Sequence, residues 1–116
     1  MEIKIIKDSI SRHDIIAMAN AGFGDLVKAV VDVEQEIMAI GGELHADEEV
    51  LLMEKENSLR ENTWGINIYP EKIDNEWIEF DSMVNIKPSL GNRSRYVENL
   101  ETRETIKKIV GKLIAD

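Results

Sequence analysis

The residues best able to do chemistry gather in Gly41-Gly42-Glu43-Leu44-His45-Ala46-Asp47-Glu48-Glu49. One imidazole and four carboxylates stand where a hydrophobic strand hands over to a helix. Such junctions are a common place to build a polar site. His45, Glu48 and Glu49 fall at i, i+3 and i+4, on one side of the helix start. They offer one nitrogen and two carboxylates to a metal, and the only other histidine is His13. Zinc takes three or four protein ligands, so no metal site is expected here. The same residues also serve a purely structural end, by satisfying the helix N-terminus and each other. Gly41-Gly42 is not a phosphate loop: the third glycine of the dinucleotide fingerprint and the Lys-Ser/Thr pair of the P-loop are missing.

Two further groups carry polar function. In the segment from Trp77 to Lys87, alternation places Ile78, Phe80, Val84 and Ile86 on one face and Glu79 and Asp81 on the other. Asn67, between Ile66 and Ile68, is a neighbour for those acids in an assumed sheet. Glu79, Asp81 and Asn67 then form a patch suited to hydrogen-bonding a ligand or to weak oxygen-only cation binding. A strand facing water has the same pattern. The third group is Gly91-Asn92-Arg93-Ser94-Arg95. Gly91 and Asn92 allow a tight turn, and the guanidinium groups of Arg93 and Arg95 suit phosphate or carboxylate. Pairing of the two arginines with acids of the same chain explains them equally well.

The elements that must position these groups follow from periodicity and punctuation. Residues 2–7 read as a short strand. Ser11 opens a helix, with Asp14 three residues on and Ile10 and Ile15 placed as a hydrophobic staple. Gly22 and Gly24 end it. Residues 26–34 and 36–42 read as two strands joined by a hairpin at Glu34-Gln35-Glu36. The second helix begins at His45 or Asp47 and ends near Asn57, with Ala46, Val50, Leu51 and Met53 expected inward. Thr63 to Tyr69 reads as a strand stopped by Pro70. Trp77 to Lys87 reads as the longest strand, stopped by Pro88. Residues 89–95 form a loop. Leu100 to Ile114 is an amphipathic helix with Ile106, Ile109, Val110 and Leu113 inward and Glu104–Lys108 paired outside. The order is β-α-β-β-α-β-β-α. It predicts one α/β (α+β) domain with a mixed sheet of about five strands and three helices. A right-handed parallel crossover is expected through the second helix.

Composition narrows the function. A chain of 116 residues, 43% apolar, is sized for one domain with a single core. A net charge of −9 argues against nucleic acid and anionic membranes as partners. The absence of cysteine excludes disulfides, thiolate catalysis and cysteine-based zinc or iron–sulfur sites. Charges interrupt the apolar residues of Met1–Lys7, so no signal peptide is expected, and the cytoplasm is the expected compartment. No cofactor is implied.

Nearly the whole chain resembles a small prokaryotic family known as a domain of unknown function. Phe23-Gly24-Asp25, Lys28 to Glu34, Gly41 to Glu49, Trp64 to Pro70 and Ile78-Glu79-Phe80-Asp81-Ser82-Met83 through Arg95 carry that resemblance. It implies no assigned activity. Residues 25–70 are also similar in plan to the nucleoside deaminase core, in which a helix opening with His-Ala-Glu precedes a strand ending in Pro-Cys-x-x-Cys. Here the counterparts are His45-Ala46-Asp47 and Pro70. Asp47 is one methylene shorter than the glutamate proton shuttle, and Glu71 and its successors replace both cysteines. A zinc hydroxide of that kind cannot form, so the likeness concerns fold alone.

The resulting expectation is a binding or interaction domain with a polar pocket around His45, Glu43 and Asp47, taking a small anionic ligand or a protein partner. The enzyme alternative is a metal-independent hydrolase or transferase acting on an anionic substrate. There His45 with Asp47 or Asp81 would move protons, while Arg93 and Arg95 would clamp the anion. The alternative requires the arginine loop and His45 to open into one cavity.

Overall fold

The computed structural model describes residues 2–116. Its elements are β1 (Lys4–Ile6), β2 (Ile10–Ser11), α1 (Arg12–Ala21), β3 (Val27–Asp32), β4 (Ile37–Ile40), α2 (His45–Glu56), β5 (Thr63–Ile68), β6 (Ile78–Glu79), α3 (Leu100–Leu113) and β7 (Ile114–Ala115). Five strands form one sheet in the order β1-β4-β3-β5-β6, and every neighbouring pair is antiparallel. The fold is α/β with three helices, as the pattern of elements predicts. Parallel pairing is confined to the ribbon of β2 and β7, where Ile10 faces Ile114. Strands β4 and β5 run in the same direction, but β3 lies between them, so α2 carries the chain across one intervening strand.

Alternation along the central strands gives the sheet two apolar faces. Val27, Ala29 and Val31 of β3 and Trp64, Ile66 and Ile68 of β5 join a large core with Ile15 and Ala19 of α1 and Ile106, Ile109, Val110 and Leu113 of α3. The opposite face is smaller: Val30, Ile37 and Ala39 meet Leu52 of α2. The result is three layers, α1 and α3 on one side and α2 on the other. Local chemistry sets the ends of these elements. Ser11 Oγ accepts from Asp14 N at 3.0 Å to start α1, and Asn99 Oδ1 accepts from Thr102 N at 2.9 Å to start α3. Asn57, at φ 57°, ends α2 in the left-handed conformation. The hairpin between β3 and β4 is built on buried Asp32, whose carboxylate accepts from Glu34 N, Gln35 N and Ser58 Oγ.

Three readings of the sequence need correction. The long strand from Trp77 to Lys87 is absent: β6 stops after Glu79, and 3-10 turns follow at Met83–Asn85 and Pro88–Leu90. Ser82 ends the extended run because its Oγ caps the first turn, accepting from Val84 N at 3.2 Å. Asn85 then takes the place of a strand: its Oδ1 accepts from Gly65 N at 2.7 Å and its Nδ2 donates to Gly65 O at 2.9 Å. Gly65 permits this approach because a Cβ there would stand 2.5 Å from Ser82 Oγ and 2.9 Å from Val84 Cγ2. The inward face of α2 also differs from the expected one. His45, Glu48, Glu49 and Leu52 are buried, whereas Ala46, Val50 and Met53 are exposed. A smaller correction concerns α3, where Glu104 pairs with Lys107 at 3.6 Å rather than with Lys108.

Replacing Asn85 by alanine strands both backbone groups of Gly65. Each orphaned group costs about 1–3 kcal/mol, so Asn85→Ala is expected to lower unfolding free energy by roughly 2–6 kcal/mol, measured by urea denaturation. A loss near zero would show that water replaces the carboxamide.

Candidate functional site

The N-terminal end of α2 meets the sheet at a cavity of about 270 Å³. Four separate segments supply its polar wall: Lys28 from β3, His45 from α2, Asn67 from β5, and Asp81 with Arg95 from the region after β6. Register explains part of the convergence, since Lys28 faces Asn67 and Asn67 faces Glu79 across the strands. Phe23, Leu44 and Met83 form an exposed apolar rim.

His45 is the most constrained group. Its ring is 8% exposed, and Nε2 lies 2.8 Å from Ile66 O. A carbonyl only accepts, so Nε2 carries the proton in either charge state. Burial pushes the imidazole below its ordinary pKa. The hydrogen bond to Ile66 and the charge of Asp81 oppose that shift, while Lys28 and Arg95 reinforce it. A neutral ring held in this way leaves Nδ1 as a lone pair able to accept a proton or a hydrogen bond.

Asn67 ties Asp81 of the cavity to Glu79, which lies outside it. Asn67 Nδ2 donates to Glu79 Oε1 at 2.8 Å and to Asp81 O at 3.3 Å. Both partners are acceptors, which fixes the orientation of the amide and leaves Asn67 Oδ1 buried without a partner. Tyr69 Oη also donates to Glu79. Asp81 Oδ1 accepts from Arg95 Nε at 2.7 Å, in a half-exposed pair on the cavity lip.

The remaining residues singled out from the sequence lie elsewhere. Glu43 and Asp47 are exposed and do not line the cavity. Arg93 is likewise outside it, so the two arginines do not form a clamp at His45. Asn92 is buried and spends its side chain on the loop, donating to Asn85 O, Ser94 O and Tyr96 O and accepting from Glu98 N. The anion place within that loop is filled in cis: Glu98 Oε2 accepts from Arg93 N, Ser94 N and Ser94 Oγ. Those hydrogen bonds, the one from the Ser94 hydroxyl foremost, hold Glu98 below the usual carboxylate range. Among the described residues, no group of three His, Asp or Glu side chains is placed to hold a metal ion.

Lys28, Ser82 and the apolar rim are site residues that the sequence reading passed over. Lys28 left one signal, as a lone cation in the apolar run Val27 to Val31. Behind the cavity, the two buried acids of α2 are accommodated in different ways. Glu49 accepts from Thr63 Oγ1 at 2.7 Å and lies 3.9 Å from buried Lys87 and 3.8 Å from Arg60. Glu48 is wholly buried, with Oε2 on Gly42 N at 2.9 Å and Oε1 unpartnered. Burial raises its pKa to about 9, with the Gly42 hydrogen bond opposing the shift.

That carboxyl makes stability depend on pH with a definite sign. The folded state holds a proton that the unfolded state has released, so stability falls as pH rises from about 4.5 to about 9. The slope approaches about 1.4 kcal/mol per pH unit for one proton. Glu48→Gln should therefore be more stable than the parent near pH 8 and should flatten this part of the profile. Equal slopes for the two proteins would place the proton elsewhere.

No curated protein and no solved structure matches the chain. A family model described as "Protein of unknown function (DUF5674)" matches residues 4–113, which include every residue of the cavity. The chain therefore belongs to the DUF5674 family of proteins of unknown function.

Proposed function

We propose that the domain binds a small organic anion in the cavity at the head of α2. The observation that carries this reading is the convergence of Lys28, His45, Asn67 and Asp81 with Arg95, from four segments, on one opening with an apolar rim. With His45 neutral, its charged side chains are Lys28, Arg95 and Asp81, two cations against one carboxylate in a chain of net charge −9. A carboxylate or phosphate group fits beside Lys28 and Arg95, whose donors suit it. An apolar portion of the same molecule fits against Phe23, Leu44 and Met83. The size of the opening is close to the lower end of small-molecule sites, about 300 Å³. The cytoplasm is the setting taken for this activity, in keeping with a chain that uses no disulfide. No helix of the described chain is long and apolar enough to cross a membrane.

A second reading, a metal-independent hydrolase or transferase, draws on the same convergence. His45 keeps Nδ1 for a proton, and Asp81 and Arg95 stand at the same opening. Asp47 and Arg93 take no part in it, because both lie outside the cavity. Catalysis would appear as turnover of esters or phosphoesters that is abolished by His45→Gln and falls as pH drops through the imidazole range.

Thermal unfolding with hexanoate, acetate and inorganic phosphate tests the binding reading. Hexanoate is expected to raise the melting temperature more than acetate does. The double variant Lys28→Gln/Arg95→Gln should fold with near-parental stability, since exposed pairs contribute only about 0–1 kcal/mol, and lose the response. A parental response in the folded double variant, or no response to any anion, would remove the cavity from consideration.

A further inference from the structure

α2 is turned the opposite way from an ordinary amphipathic helix. Its inward row is His45, Glu48, Glu49 and Leu52, and its apolar stripe faces out. Ala46, Val50 and Met53 stand at i, i+4 and i+7, one above another on the helix surface. Val50 is 50% exposed and Met53 41%. Leu44, immediately before the helix, and Met83, on the 3-10 turn that packs beside α2, are also exposed. Scattered exposed apolar residues are ordinary, but a stripe at helical spacing with apolar neighbours at its head is the pattern of a docking face.

The charges around this stripe indicate its occupant. Asp47 and Glu54 adjoin it on the outer side, Glu43 precedes it, and all three are exposed. Two copies packed antiparallel about Val50 would bring Asp47 of each beside Glu54 of the other. Each copy also carries a net charge of −9, so self-association works against both local and overall charge. An amphipathic helix with an apolar stripe and lysine or arginine flanks meets neither obstacle. Its stripe would cover Ala46, Val50 and Met53, and its cations would face Asp47 and Glu54.

We infer that the outer face of α2 is a docking surface for a basic amphipathic helix of a partner protein. This surface adjoins the His45 cavity, sharing Leu44, Ala46 and Met83 with its lining, and runs on along the helix to Val50 and Met53, which lie outside that cavity. The test uses the full chain, labelled with ¹⁵N, and two synthetic helical peptides. Both carry leucines at i, i+3, i+4 and i+7; one is flanked by lysine and the other by glutamate. The lysine peptide is expected to shift the amide signals of Ala46, Val50 and Met53. Its binding should weaken at least about tenfold, equal to about 1.4 kcal/mol, in Val50→Lys/Met53→Lys. Both positions are exposed, so that variant should keep the parental circular dichroism and its response to hexanoate. His45→Gln should leave peptide binding unchanged, which keeps failure at the cavity distinct from failure at this face. Four results would overturn the inference: no binding of the lysine peptide, equal affinity for the two peptides, signal shifts mapped away from α2, or sedimentation showing self-association that Val50→Lys/Met53→Lys abolishes.

Discussion

The arrangement of the cavity depends on the double hydrogen bond between the Asn85 side chain and the backbone of Gly65. Strand β5 has β3 along one edge, but β6 accompanies its other edge only at Asn67 and Ile68. At Gly65 the carboxamide of Asn85 supplies the donor and acceptor that a longer β6 would have supplied. Gly65 has no Cβ, so the turn can lie directly on the strand. The chain therefore leaves the sheet after Glu79, and Ser82 and Val84 lie over Gly65. Asn85 Nδ2 and Ser82 N also donate to Arg95 O, which brings the arginine back beside Asp81. His45 reaches the same place from the opposite direction, anchored on Ile66 O next to Gly65. Backbone pairing thus sets the distances within the site more than side-chain packing does.

Burying a polar row beneath a helix is costly unless each group finds a partner. His45 has the Ile66 carbonyl. Glu49 has a hydroxyl at 2.7 Å and two cations within 4 Å, one of them Lys87, which is itself buried above the Trp64 ring and donates to Val84 O. Burial lowers the pKa of Lys87, with the charge of Glu49 opposing that shift. Glu48 receives one N–H and keeps its proton. The helix start adds no compensation, since Leu44 at the cap position offers no side-chain acceptor. Among the described residues two orphaned oxygens remain, Glu48 Oε1 and Asn67 Oδ1. Each represents about 1–3 kcal/mol of unrecovered desolvation. Such costs concentrate where a protein keeps polar groups for use rather than for stability.

What the sequence made legible was decided by whether local signals and tertiary contacts agree. Ser11 and α3 were readable because a cap residue and a 3.6-residue apolar period point the same way. The alternation from Trp77 to Lys87 is real as far as Phe80 and is then overridden by two polar side chains that bind backbone, Ser82 and Asn85. Asn85 finds its partner twenty residues away, and no window along the sequence contains that pair. The face of α2 is likewise set by contacts distant in sequence. Val50, Leu51 and Met53 are the more apolar set, but the polar side of the helix finds Ile66 O, Gly42 N and Thr63 Oγ1 beneath it. Partners distant in sequence thus select the polar side of the helix. The grouping of Asn67, Glu79 and Asp81 needed only cross-strand adjacency. The separation of Arg93 from Arg95 depended on Glu98, three residues beyond the loop as read.

The same reversal of α2 produces both unusual surfaces of the molecule. Turning His45, Glu48 and Glu49 inward opens a polar cavity at the head of the helix; turning Val50 and Met53 outward leaves an apolar stripe along its back. Burying side chains of that size is worth about 1.5–3 kcal/mol each. The alternative orientation of the helix would recover that energy and return three titratable groups to water. Leu52 alone ties the middle of α2 to the small core of Val30, Ile37 and Ala39. A helix held so lightly by apolar contact owes its orientation to its polar bonds: Ile66 O with His45, Gly42 N with Glu48, and Thr63 Oγ1 with Glu49. Hydrogen bonds are directional and apolar contacts are not, so these three fix the rotation of α2 about its axis. That rotation places the imidazole at the cavity and the stripe in solvent at once, which makes the two surfaces consequences of one packing choice.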